Sequence, residues 1–508
     1  MFQYGGLYRS IEWHELGPST VSTVAFQNVD IIQRNPSAGI VDARIRLHDP
    51  TETTKLNVKS LEPGQEAPFF APRYRRNGGE ALLSVSVLPS SVNVTVFFDD
   101  NEDTSISYND VGIDEHGIGI IGGLIIPNAT LWSTDSPMLH TLHMIVSSSN
   151  NGPANDYIVE RFGLRSFTAC TQGTNLTAAL CLNGDVIKLK GYGRHDTSPG
   201  LGHALGYMDR LKDYLLMQGL GSNFVRIGHY TQDRTFSSIA DNLGFLAWTE
   251  IIGWDSEPST YKDPNWIAAS LVAIEEHVND TFNHPSTVMM AYINEGTSDD
   301  PTVCSTYATL NAKYKSLSIN ALTGYASDKG VKDVCIKPSG ADFIGLNIYA
   351  GWYDSVDPSG GSGTGNVQDD IEGNIDLIPL RLNEFASFMT SNHSSIPFFV
   401  SELGAGAIPG WVDQMNAIWT ENYAGRVVNT GANVAINDER WSGIAVWQLM
   451  DQRVYVIGEG VLGRPRGFNN KGTFDENRKA KLPLYTAVYN AFHSLPPPDW
   501  ISAVYPTL

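Results

Sequence analysis

The chain has 508 residues, with 55 acidic against 34 basic side chains and a formal net charge of −21. That length exceeds one typical domain, so two or three are expected. A 42% hydrophobic and 18% charged composition supplies a large core, and the acidic balance argues against nucleic acid and anionic membranes as partners. No run approaches the roughly 18 consecutive apolar residues of a membrane span.

The first residues, Met1-Phe2-Gln3-Tyr4-Gly5-Gly6-Leu7, lack the basic region and apolar core of a secretory signal. Asn-x-Ser/Thr sequons stand at Asn93, Asn128, Asn175, Asn279 and Asn392. A chain this rich in Asn, Ser and Thr shows several by chance, so they leave the compartment open while being compatible with a secreted parent form. The cysteines Cys170, Cys181, Cys304 and Cys335 have no metal-ligand spacing. Two local disulfides and four buried thiols are equally good readings of them.

Residues 1–17 carry material for one or two strands, too little to close a sheet alone. From residue 18 to 167 the pattern is all-β. Alternating segments recur between turn residues, at Ile40–Leu47, Ala81–Val87 and Leu139–Val146, which predicts an immunoglobulin-like β-sandwich. From residue 168 onward the rhythm becomes strand, helix, strand, helix. Strands are expected at Val186–Gly191, Asn223–Ile227, Phe245–Glu250, Thr287–Ile293, Ser318–Tyr325, Asp342–Asn347, Ile396–Val400 and Gly443–Trp447. Helices are expected at Tyr207–Met217, Phe236–Leu243, Ile267–Val278 and Leu484–Phe492. Eight such units predict a (β/α)8 TIM barrel over 168–508. The Ser/Gly-rich stretch Pro358–Gly365 reads as an insertion in the loop after the sixth strand.

Polar and aromatic residues gather at one end of these strands. Arg194-His195-Asp196 follows the first, Arg226 with His229 the second, and Glu250 ends the third. Asn294-Glu295 ends the fourth, Asn347 and Tyr349 the sixth, Glu402 the seventh, and Trp447 with Asp451 the eighth. The C-terminal end of the strands is where a barrel of this type keeps its active site. Glu295 and Glu402 each top an apolar run and precede small residues. Two carboxylates so placed are the minimal equipment for breaking a glycosidic bond.

The motifs, taken together, resemble the catalytic domain of glycoside hydrolase family 2. They are Leu182-Asn183-Gly184, Lys190-Gly191-Tyr192-Gly193-Arg194-His195-Asp196, Asn223-Phe224-Val225-Arg226-Ile227-Gly228-His229-Tyr230, Asn294-Glu295 and Asp342-Phe343-Ile344-Gly345-Leu346-Asn347-Ile348-Tyr349. They continue with Ser401-Glu402-Leu403-Gly404, Trp447-Gln448-Leu449-Met450-Asp451 and Asn469-Asn470-Lys471-Gly472. They occur in the family's order, and the sandwich is similar to its central domain, down to Leu131-Trp132-Ser133 and Pro137. Residues 1–17 resemble only the last strands of the family's N-terminal jelly-roll domain.

The resemblance implies a retaining exo-β-glycosidase in which Glu295 is the general acid/base and Glu402 the nucleophile. It implies that Asn294 holds the sugar 2-hydroxyl, Tyr349 hydrogen-bonds Glu402 and Arg226 keeps Glu402 ionised. Trp447 offers an apolar face to the sugar, while His195, His229, Asn347 and Tyr353 line the pocket. Asn469 and Lys471 resemble the Asn-x-Lys signature with which β-glucuronidases grip the substrate carboxylate, and a lysine charge plus an amide suits such a group. The expected activity is that of a β-glucuronidase acting on a carbohydrate or glycoconjugate. The alternatives are a β-galactosidase of the same family or a catalytically impaired sugar-binding remnant. No cofactor and no metal are expected, and a homo-oligomer is compatible with the sequence.

Overall fold

The structure, a computed structural model, describes residues 26–47, 89–148, 154–173, 177–251, 253, 256–317, 320–353, 375–413, 417–454 and 465–493. The expected strand Ala81–Val87, the stretch Pro358–Gly365 and residues 1–17 lie outside them. No described helix is long and apolar enough to cross a membrane.

The strands that come first are β1 (Phe26–Asn35), β2 (Ile40–Leu47), β3 (Ser91–Phe98), β4 (Ile106–Gly112), β5 (Ile118–Ile125), β6 (His140–Ser148) and β7 (Ala154–Phe162). Among the described residues they form two antiparallel sheets, ordered β1-β2-β5 and β4-β3-β6-β7. The period-2 pattern explains the architecture. In β3, Val92, Val94 and Val96 point inward while Ser91, Asn93 and Thr95 stay partly wet. The inner faces of the sheets share one core, with Val29, Ile31, Val41 and Ile45 against Val94, Val96, Leu142 and Met144. This is the expected sandwich.

The next element was not anticipated. β8 (Phe167–Gln172), β9 (Thr177–Leu182) and β10 (Asp185–Val186) form a small antiparallel sheet. Val186, expected in the first barrel strand, instead pairs with Cys181 of β9. Gly184, at φ 94°, turns the chain tightly enough for that pairing. The apolar run of the sequence therefore spans two elements, and the barrel strand starts three residues later. A disulfide joins Cys170 to Cys181 across this hairpin, and another joins Cys304 to Cys335.

The barrel closes through eight parallel strands in chain order. They are β11 (Leu189–Arg194), β12 (Phe224–Ile227), β13 (Leu246–Glu250), β14 (Thr287–Asn294), β15 (Leu322–Ser327), β16 (Phe343–Asn347), β17 (Phe398–Leu403) and β18 (Gly443–Val446). Around it pack helices that include α1 (Tyr207–Gly219), α2 (Arg234–Leu243), α3 (Pro258–Lys262), α4 (Pro264–Thr281), α5 (Cys304–Ser316), α6 (Ile336–Ser339), α7 (Leu377–Asn392), α8 (Glu421–Asn437) and α9 (Leu482–His493). The fifth and seventh strands run further toward the C-terminal end than expected, so that Glu402 lies inside β17.

Alternation sorts each strand by face. Leu246 and Trp248 point into the barrel, while Ala247 points to the helices. The barrel floor is apolar, built from Leu189, Phe224, Leu246, Phe343 and Phe399, and it is closed by Phe167, Leu180 and Leu182 of the small sheet with Trp132 of the sandwich. Burying each such side chain is worth about 1.5–3 kcal/mol. The sandwich is also fixed by hydrogen bonds. Arg165, buried at the junction, donates from Nε to Pro285 O (2.9 Å) and from one terminal nitrogen to Thr287 O (2.7 Å). Asn283 closes a reciprocal pair with the backbone of Val29 and Ile31. Removing any of these would strand buried polar groups.

Candidate active site

With an apolar floor, the strands become polar only in their last inward positions. Arg226 is two residues above Phe224, Glu250 two above Trp248, and Asn347 two above Gly345. Glycine makes room where bulk is needed. A β-carbon at Gly193 would come within 2.3 Å of the Trp447 ring, and one at Gly345 within 2.6 Å of Ser401 Oγ. Arg226, Glu250, Asn347 and Glu402 thus stand together at the C-terminal ends of β12, β13, β16 and β17, held in place by the strands beneath them.

Arg226 is the hub. It donates from Nε to Glu250 Oε1 (2.7 Å) and from its terminal nitrogens to Glu402 Oε1 (2.5 Å) and Asn294 Oδ1 (2.6 Å). Asn347 Nδ2 donates to Asn294 Oδ1 (2.9 Å) and to Glu295 Oε1 (2.7 Å), and Ser401 Oγ donates to Asn347 Oδ1 (2.6 Å). Tyr349 donates its hydroxyl to Glu402 Oε2. The two carboxylates, 107 residues apart in sequence (402 − 295), are joined by the chain Glu295–Asn347–Asn294–Arg226–Glu402. His229 Nδ1 lies 3.1 Å from Glu250 Oε2, its Nε2 lies 3.7 Å from Glu402 Oε1, and its ring stacks on Trp447 at 4.9 Å.

Glu295 differs from its neighbours. Its backbone is left-handed, with φ 52°, a region a side-chain-bearing residue seldom enters. Such residues cluster at functional sites. Gly296 follows because a β-carbon there would lie 2.1 Å from the Tyr307 hydroxyl.

The electrostatics separate the carboxyls. Burial first, and then the charge of Glu402, push Glu295 up to about 7. Burial alone would raise Glu250 too, but Arg226 and His229 outweigh it and hold Glu250 below the usual carboxylate range. Burial also works against the Arg226 charge, and Glu250 with Glu402 more than restores it. The arrangement therefore holds an acid that keeps its proton beside a carboxylate tied to an arginine. One can give a proton while the other attacks.

Of the sequence-predicted residues, Glu295, Glu402, Asn294, Asn347, Tyr349, Arg226, His229 and Trp447 form this connected set. His195 stands behind it, its ring 5.2 Å from Trp447 and 5.3 Å from His229. Burial drives its pKa well down, so it is neutral. Lys471 and Tyr353 form a second cluster at the edge. Lys471 Nζ donates to Tyr353 Oη (2.6 Å) and lies over the rings of Tyr349, Trp352 and Tyr353 at 4.5–5.6 Å. Tyr349 belongs to both clusters, so Lys471 and Glu402 flank one ring. Asn469 sits in β20 (Phe468–Asn469), paired with β19 (Gln452–Arg453); its Oδ1 is buried with no hydrogen-bond partner among the described residues.

Sequence reasoning placed Glu250 at the active-site end of its strand without giving it a role, and gave none to Ser401 or Trp352. Glu250 had the signal, an apolar strand ending in a carboxylate. Ser401 and Trp352 had none beyond adjacency to Glu402 and Tyr353. Among the described residues, no group of three or more His, Cys, Asp or Glu is arranged to hold a metal ion.

The family model described as "Glycosyl hydrolases family 2, TIM barrel domain" matches residues 176–456. The chain belongs to glycosyl hydrolase family 2. A Formosa agariphila protein that carries a provisional β-glucuronidase name is 27% identical over 476 residues, covering 86% of this chain and 52% of that one. The β-glucuronidase of Mus musculus is 25% identical over 377 residues, 73% of this chain and 53% of that one. The chain thus spans about half the length of these relatives. A solved structure of a family 2 β-galacturonidase from Eisenbergiella tayi, bound to galacturonate, superposes with a TM-score of 0.71 at 24% identity, covering 93% of this chain and 73% of that one. That likeness is one of fold.

Proposed function

We propose that this chain carries the catalytic centre of a retaining exo-β-glycosidase that removes terminal β-linked uronic acids, with glucuronide the first substrate to test. The observation that carries the reading is the pairing of Glu295, raised to about 7 by burial and by Glu402, with a Glu402 bound to Arg226. In the first step Glu402 Oε1 or Oε2 bonds to the anomeric carbon as the glycosidic C–O bond breaks. The Glu295 proton goes to the departing oxygen. In the second step Glu295, now a carboxylate, takes a proton from water. The water oxygen bonds to the anomeric carbon and Glu402 leaves. Two inversions retain the configuration.

The surrounding groups fit that sequence. Tyr349 and Arg226 hold both Glu402 oxygens in place, which orients the attack. The Glu402 charge raises Glu295, and glycosylation of Glu402 removes that charge. Glu295 then gives up its proton more readily, as its second task requires. Asn294 and Asn347 fix the acid's position and leave polar edges for sugar hydroxyls. Lys471, held among three rings, suits a carboxylate on the sugar.

The test is hydrolysis of chromogenic β-glucuronide, β-galacturonide and β-galactoside side by side, with Glu402→Gln as control. Turnover of the uronides, abolished in the variant and with β-configured product seen first by NMR, is the expected result. Turnover of galactoside alone would keep the carboxylate pair and remove the uronate reading. A folded chain that cleaves none of the three would favour the sugar-binding remnant.

A further inference from the structure

Lys481, just before α9, is 1% exposed, and its hydrogen bonds go to neither Glu295 nor Glu402. Its ammonium donates to Asp451 Oδ1 (2.7 Å), Ala407 O (2.7 Å) and Asn470 O (2.9 Å). Three donors meet three oxygens, so the group is saturated. The oxygens come from the loop after β17, the loop after β18 and the segment that carries Lys471.

That segment is gripped along its backbone. Asn470 O also accepts from Ala407 N (2.8 Å), and Lys471 O accepts from Gln448 N (3.0 Å). Gly472 N donates to Asp451 Oδ1 (2.9 Å), the same oxygen that Lys481 holds. A β-carbon at Gly472 would stand 2.1 Å from Asp451 N, so the two strands of chain touch. From this fixed backbone the Lys471 side chain crosses to Tyr353 and the aromatic rings.

A buried ion pair seldom stabilises a fold more than apolar residues of the same volume would. Registry is the better-attested use of such a pair, and here the pair ties the segment that carries Lys471 to the loops after β17 and β18. We propose that Lys481 is a specificity-positioning residue: clamped on Asp451 and on the carbonyls of Ala407 and Asn470, it sets the Asn469–Lys471 segment so that Lys471 meets the carboxylate of the substrate. This rests on the uronide reading.

The test uses the whole chain with Lys481→Met, and with Lys481→Met combined with Asp451→Asn, which removes both charges together. The readouts are kcat and KM for chromogenic β-glucuronide and β-galactoside, and inhibition by glucarolactone and galactonolactone. The ratio of charged to neutral kcat/KM should fall about tenfold, chiefly through KM for the uronide, and glucarolactone should weaken in step. An equal loss on both substrates, with the ratio intact, would mean that Lys481 only supports the fold, and the proposal would be overturned. Failure of both variants to fold would overturn it as well. A wild-type chain that does not prefer the charged substrate would remove the uronide reading before any variant is made, so the two failures are told apart.

Discussion

Arg194 and Arg226 stand at the ends of neighbouring strands, both wholly buried and both holding two carboxylates, yet their surroundings differ in charge. Arg194 donates to Asp213 (2.8 Å) and Asp196 (2.9 Å). Each of those is held by a second arginine, Asp196 by Arg210 (2.9 Å) and Asp213 by Arg478 (3.0 Å). Arg210 in turn reaches Asp233 at 3.5 Å. Three arginines meet three aspartates. Around Arg226 one arginine, with His229 beside it, meets Glu250, Glu402 and the nearby Glu295. The first cluster is balanced and its oxygens are occupied. The second is short of positive charge, and the shortage is relieved by a proton on Glu295. A buried deficit of this kind marks chemistry, whereas a balanced cluster marks architecture.

Substitutions can break that contrast. The largest effect is expected from Glu402→Gln, which should lower kcat by about 10⁴-fold or more, read as release of a chromogenic aglycone, while the circular dichroism spectrum is unchanged. Glu295→Gln should cost about 10³-fold on glycosides with poor leaving groups and much less on nitrophenyl glycosides, which need little acid assistance. The same variant should lose the alkaline limb of the pH–rate profile, which in the wild type should lie near the Glu295 pKa of about 7. Equal losses on both leaving-group classes would remove Glu295 from the role of acid.

Arg194→Met should act on the other side of the comparison. It leaves buried aspartates short of a partner and should cost about 3–5 kcal/mol of stability, seen in urea unfolding, with kcat/KM per folded molecule within about threefold of wild type. A catalytic collapse in a well-folded Arg194→Met would show that the two clusters are coupled.

The smallest effect is one of stability and has a sign. Glu295 rises from 4.5 to about 7 on folding, so between those values the native state keeps a proton that the unfolded chain releases. Its contribution is complete below pH 4.5 and is lost as pH rises through 7. The loss is on the order of 3 kcal/mol. Glu295→Gln should therefore match wild-type stability at pH 4 and exceed it at pH 8. Urea midpoints at the two values check this, and a constant difference between them would refute it.

Much of this was legible in the sequence because the barrel writes its layers in period 2. An apolar run ending in a polar residue identifies both a buried strand and its open end, and Asn294, Glu295, Asn347 and Glu402 all read that way. The limits were physical too. Arg194-His195-Asp196 and Arg226-x-x-His229 look alike in one dimension. Only the fold brings Arg210, from the next helix, and Arg478, from a distant segment, to neutralise the first. The small sheet β8-β9-β10 was hidden for a similar reason. Val186 and Ile187 are apolar on both readings, and the partner that decides between them, Cys181, lies across a turn. The cysteines left two readings open, and pairing became visible only when β8 and β9 placed Cys170 beside Cys181.

The left-handed backbone at Glu295 has a consequence for descent. A residue with a side chain gives up about 1–2 kcal/mol there relative to glycine, and above neutrality the buried acid adds its own burden. A gene copy released from selection for turnover would gain stability from glycine or asparagine at that position. Glutamate at this left-handed position is what continued use would leave behind.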